Sequence, residues 1–150
     1  MSNINVKMED HSDEVLRAIE EASIAALEAI GIQAEGHAQD VIEAGVPRHA
    51  DSWYVSKGGA GLRGSITHMV KPDEKAVYVG TNNEHAIYNE IGTGIYVEDG
   101  TGRQSPWAYQ DEQGNWHRTR GITPLHFLKK AASEHDDEYL AILKRIGDNL

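Results

Sequence analysis

From Leu16 to Ile42 the apolar and small residues return every three or four positions: Leu16, Ile19, Ser23, Ala26, Leu27, Ile30, Ala34, His37, Ala38, Val41, Ile42. That spacing is one face of an α-helix. Ser12 is an expected N-cap, and Asp13 and Glu14 fall in the first turn, where the helix dipole favours anions. A helix from Ser12 to about Glu43 would reach ~45 Å, more than the diameter of a compact domain of this size. Two outcomes compete. Gly31 and Gly36, each costing ~1 kcal/mol against alanine, break the helix. Otherwise it runs past its own domain and packs on a neighbouring subunit. The many alanines permit close approach but do not name the partner.

Beyond this helix the pattern changes. Pro47 to Ala60 reads as loop, with a short apolar segment Trp53-Tyr54-Val55. Strands are expected over about Arg63–Val70 and Ala76–Thr81, joined by Lys71-Pro72-Asp73-Glu74-Lys75. Val77 and Val79 share one face and Tyr78 takes the other. Residues 92–105 are glycine-rich and polar and read as a mobile loop. A second hairpin is expected from Trp107–Tyr109 and Trp116–Arg118, turning through Asp111 to Asn115. Thr123-Pro124 opens a C-terminal helix whose stripe is Leu128, Ala131, Ala132, His135, Tyr139, Ile142, Leu143 and Ile146, ending near Gly147. The order implies a single α+β domain: a long N-terminal helix, a small mostly antiparallel sheet of hairpins, and a C-terminal helix. Residues 1–11 read as a flexible lead-in.

Charge and composition narrow the function. The net charge is −10, and residues 1–44 carry ten acids against Lys7 and Arg17. Residues 45–132 are nearly neutral, with ten bases and nine acids. No basic face is visible, which argues against specific duplex-DNA binding. The chain has no cysteine, so disulfides, thiolate metal sites and a cysteine nucleophile are excluded. No apolar run approaches the ~20 residues of a membrane span, and the first fifteen residues lack the apolar core of a secretory signal. A cytoplasmic setting is expected.

Gly59, Gly61 and Gly64 spell G-x-G-x-x-G, the letters of a dinucleotide-binding turn. That turn needs a helix starting at its third glycine. Here the third glycine is followed by Ser65-Ile66-Thr67-His68-Met69-Val70 and then Pro72, which reads as strand, so no cofactor is expected. Eight histidines raise the question of a metal. His37 and His135 lie on apolar helical stripes, where a half-buried, hydrogen-bonded histidine is the commoner outcome. No H-E-x-x-H or H-x-E spacing occurs. Glu84-His85 with Glu90 could supply two carboxylates and an imidazole, although no nucleophile partner accompanies them, and a small metal-dependent hydrolase or nuclease would use His85, Glu90 and His117. Ser65 lacks the flanking glycines of a nucleophile elbow. Trp107, Tyr109 and Trp116 could stack bases, but on a short hairpin in an acidic protein cross-strand aromatic packing is the better account.

Three segments taken together resemble a known family. Gly61-Leu62-Arg63-Gly64-Ser65-Ile66, Val77-Tyr78-Val79-Gly80-Thr81-Asn82 and Ala86-Ile87-Tyr88-Asn89-Glu90-Ile91-Gly92-Thr93-Gly94 are similar, in order and spacing, to the gene-product-ten family of tailed-bacteriophage morphogenesis proteins. The Trp107–Arg120 hairpin and the Pro124/Phe127 helix start also look like that family, so the resemblance spans about Gly59 to Ala131. The first helix matches in type and position only. The chain departs from the family pattern at Ala60-Gly61-Leu62, where a Thr-Gly-Arg-Leu entry is common. It departs again at Pro124-Leu125-His126-Phe127, where a Pro-Phe pair is common. The resemblance implies a non-enzymatic virion component of the neck or tail end of a long-tailed phage, assembled in the host cytoplasm. Its implied partners are other neck or tail proteins and copies of itself in a ring, with DNA only as passing cargo and no membrane. The subunit or partner contacts expected on this basis are Gly61, Leu62, Arg63, Tyr88, Glu90, Gly92, Thr93, Gly94, Trp107 and Trp116. The charge of the first helix suggests two further roles: lining a lumen that repels DNA, or mimicking DNA as an inhibitor.

Overall fold

A computed structural model describes residues 7–45, 61–111 and 113–149. Pro47–Ala60, with Gly59 and Trp53-Tyr54-Val55, lies outside the described residues. Helix α1 is continuous over Ser12–Gly45, ~50 Å at the standard rise. Neither Gly31 nor Gly36 breaks it. Its N-terminus is held by Asp10, whose carboxylate accepts from the Ser12 amide at 2.9 Å. Ser12 is therefore the first residue of the helix and not its cap.

Strands β1 (Ile66–Lys71) and β2 (Ala76–Thr81) form an antiparallel hairpin, with Ile66 opposite Thr81 and His68 opposite Val79. The first strand starts later than expected because Arg63–Ser65 is a turn of 3-10 helix. Between the strands, Pro72–Glu74 forms another such turn, closed by Lys75 in the left-handed region at φ 50°. Strands β3 (Trp107–Gln110) and β4 (Trp116–Thr119) make a second antiparallel hairpin that shares no hydrogen bonds with the first. The α+β class holds, with two separate two-stranded sheets in place of one.

Helix α2 spans Ala86–Ile91, α3 Phe127–Ser133 and α4 Asp136–Gly147. The expected single C-terminal helix is thus two, separated at Glu134-His135, and it begins at Phe127 and not at Thr123. The late start has a direct cause. The Leu125 and His126 amides donate to the Asn89 and Glu90 carbonyls, and His126 takes a left-handed conformation at φ 54°.

The core gathers where the second half of α1 meets β1, α2 and α3. Ala38, Ile42, Leu62, Ile66, Ala86, Leu125, Phe127 and Ala131 are buried together. Phe127, Ile42 and Leu62 are its largest fully buried apolar side chains, each worth roughly 1.5–3 kcal/mol of transfer free energy. The buried face of α1 consists mostly of small residues, Ala26, Gly31, Ala34 and Ala38. Small side chains let β1 and β2 lie close: a Cβ on Gly31 would overlap the His68 ring and approach Val77 Cγ2 to 2.9 Å.

Candidate functional site

The Tyr88-x-Glu90-x-Gly92-Thr93-Gly94 run folds as the last turns of α2 and an exit loop, and it binds the chain to itself. The Glu90 carboxylate accepts from the Leu128 and Lys129 amides at 2.9 and 3.0 Å. It thereby caps α3, satisfying two of the orphan donors of that helix with negative charge at its positive end. Thr93 and Ile122 exchange two bonds: the Thr93 amide donates to the Ile122 carbonyl at 2.9 Å, and the Ile122 amide to Thr93 Oγ1 at 2.9 Å. The Ile95 amide donates to the Arg120 carbonyl. Gly94, at φ 62°, lies so close to residues 120–121 that a Cβ there would overlap the Arg120 carbonyl oxygen. Residues 92–105 contain a 3-10 turn, Gly94–Tyr96, and Asp99 accepts from the Thr101 amide at 2.9 Å.

The expected contact residues therefore divide. Leu62 is fully buried in the core, and Gly61, Gly92 and Gly94 are buried as well. Glu90 and Thr93 are half-buried and spent on internal bonds. Trp107 is half-buried with the Arg103 guanidinium 5.3 Å from its ring centre, a cation–π contact. Arg63, Tyr88 and Trp116 remain exposed. Arg63 pairs with Glu43 at 3.2 Å, and Trp116 is 72 % exposed opposite Gln110. The expected aromatic packing across the second hairpin takes another form: Tyr109 stacks on His117, with ring centres 5.3 Å apart.

His85, Glu90 and His117 do not form one cluster. Glu90 faces the start of α3, His117 Nε2 lies 2.8 Å from Asp111 Oδ2, and the His85 ring leans on Tyr88. The aspartate anchors the hairpin turn as well, accepting from the Asn115 amide at 2.7 Å. Its hydrogen bond to His117 is the main cause of a carboxyl pKa lowered to about 2. A cleft of about 250 Å³ opens between the end of α1 and α3, and among the described residues its ionisable lining is Lys130 and Glu134.

Two apolar surfaces stand out. Residues 12–21 of α1 are exposed throughout, and Val15, Leu16 (63 %) and Ile19 (47 %) present apolar surface to solvent. On the other side of the sequence, Ile87, Tyr88 and Ile91 of α2 are exposed along with Ile95 and Tyr96 after it. The periodicity of α1 signalled the first surface; the second lies in residues 86–94, for which no helix was expected. Acids on α1 are partly used internally, since Glu28 and Glu35 grip His68 at 3.0 and 2.6 Å. Among the described residues, no helix is long and apolar enough to cross a membrane. Compared with protein-family models, curated proteins and solved structures, the chain matches none.

Proposed function

We propose that this chain is a structural subunit of the neck or tail end of a long-tailed phage, building a ring by head-to-tail contacts. The observation that carries the reading is the first half of α1, where Val15, Leu16 and Ile19 are exposed among the described residues. An apolar stripe on a surface helix normally covers a core, and exposed apolar surface of this kind marks an interaction site. The second surface, Ile87, Tyr88 and Ile91 on α2, gives the chain two unlike faces. Unlike faces are what a heterologous contact requires, and heterologous contacts whose rotation closes form rings. In this arrangement the α1 stripe of one subunit seats on the α2 face of the next. The acids on the exposed leading part of α1 keep passing DNA from adhering. The other partners are proteins of the same neck or tail, joined during assembly in the host cytoplasm.

Solution mass and negative-stain imaging of the purified chain test the reading. Rings with a central opening are the expected result. A monomer that persists at every concentration, alone and with neck or tail proteins, would rule it out.

A further inference from the structure

Three donor groups meet where the start of α4 crosses the middle of α1. The rings of His37 and His135 lie face to face, centroids 3.3 Å apart and planes 5° from parallel. Glu138 reaches both, with Oε2 2.8 Å from His37 Nε2 and Oε1 3.4 Å from His135 Nδ1. One ligand atom from each residue can be chosen so that all three lie within 4.8 Å of one another. The two imidazoles are largely enclosed, 17 % and 24 % exposed, while Glu138 is 53 % exposed and open to solvent. The Tyr139 ring borders both, 6.3 Å from each.

As a set of ion pairs this cluster is poorly balanced. A single carboxylate offsets one imidazolium, and two stacked imidazolium rings repel each other. Neutral rings remove the repulsion but leave Glu138 with hydrogen bonds alone. A divalent cation resolves both: it takes a lone pair from each neutral ring and the charge of the carboxylate. Tetrahedral bonds of 2.0–2.1 Å set neighbouring donor atoms about 3.3–3.4 Å apart, a contraction from the 4.8 Å within which the three ligand atoms lie. Coordination requires the rings to fan so that their lone pairs converge, and Glu138, 53 % exposed, leaves the cluster open to solvent on one side.

We propose that His37, His135 and Glu138 form a binding site for a borderline divalent cation of the zinc, cobalt and nickel class. Two imidazoles and one carboxylate suit these ions, whereas magnesium and calcium prefer all-oxygen shells. The N-terminus of α4 opposes a cation by its dipole, and Asp136 and Asp137 in the same turn offset that effect. The ion fastens α4 to α1. That matters because α4 buries only Ile142.

Zinc titration by calorimetry on the tag-free full-length chain tests the site, with magnesium as the control and thermal unfolding as a second readout. About one zinc per chain, a rise in Tm and no response to magnesium are expected. His135→Gln and Glu138→Gln each weaken zinc binding at least ~tenfold, while His117→Gln, away from the site, leaves it unchanged. Binding weakens on acidification, as protons compete for the imidazoles. Cobalt supplies a visible spectrum of the site in the unaltered chain, which removes dependence on how the variants fold. Absence of zinc binding, absence of a tetrahedral cobalt spectrum, or zinc affinity in His135→Gln and Glu138→Gln equal to that of the unaltered chain would overturn the proposal.

Discussion

Two glycines five residues apart on α1 show how local surroundings decide the sign of a substitution. Alanine at Gly36 meets nothing within 4 Å, so it gains helix propensity alone, a stabilisation of ~0.5–1 kcal/mol. Alanine at Gly31 gains the same propensity but drives its methyl into the His68 ring and Val77. Overpacking of that kind typically costs ~1–3 kcal/mol and outweighs the gain. Urea unfolding of both variants should move the midpoints in opposite directions. Glu90 offers a second contrast. Replacement by alanine removes both bonds that cap α3 and should cost ~1–2 kcal/mol in the same assay, more than an ordinary surface change. From the sequence, the two glycines look alike, because the difference lies in what β1 and β2 bring against Gly31. The cap of α3 was equally illegible: its carboxylate comes from 38 residues upstream of the amide it holds.

At the scale of elements, α1 and the two hairpins were readable from periodicity, since apolar spacing of 3.6 and 2 reflects burial on one face. The C-terminal pair was not. The stripe through Leu128, Ala131, His135 and Tyr139 continues across the break at Glu134-His135, so it reads as one helix. Tertiary hydrogen bonds to Asn89 and Glu90 withhold the expected first turn from helical geometry. The histidine cluster escaped for a related reason, because His37 and Glu138 are 101 residues apart. The projecting part of α1 carries its own prediction. Leu16→Asp with Ile19→Asp changes only side chains that are already exposed, so the thermal stability of the isolated subunit should stay within roughly 0.5 kcal/mol. Circular dichroism melting at low concentration checks this. A large loss would mean that the stripe is already buried within the chain.

For the whole molecule, histidine–carboxylate pairs are a recurring device: His11, His37, His68, His117, His126 and His135 each lie beside an acid. They set a pH window. His68, hydrogen-bonded by Glu35 and then Glu28, has its pKa raised above 6.5. Its contribution is complete below its unfolded pKa and is lost as pH rises through the folded value. Asp111 and Glu138 have lowered pKa values, the first to about 2, through hydrogen bonds led by His117 and His37 respectively. Their contributions are present above the unfolded carboxyl values and are lost as pH falls through the folded ones. Stability from these pairs should therefore peak in mildly acidic solution. A His68→Gln chain should lose most of the decline between neutral and mildly acidic pH, as chemical unfolding across that range would reveal. The largest claim concerns assembly, and a mixing experiment addresses it directly. One variant carries Leu16→Asp and Ile19→Asp and keeps its α2 face; the other carries Ile87→Asp and Ile91→Asp and keeps its α1 face. Sedimentation velocity should find each variant monomeric alone and a one-to-one dimer on mixing, because only one working contact remains between them. Rings formed by either variant alone, or no association on mixing, would contradict a head-to-tail contact between α1 and α2.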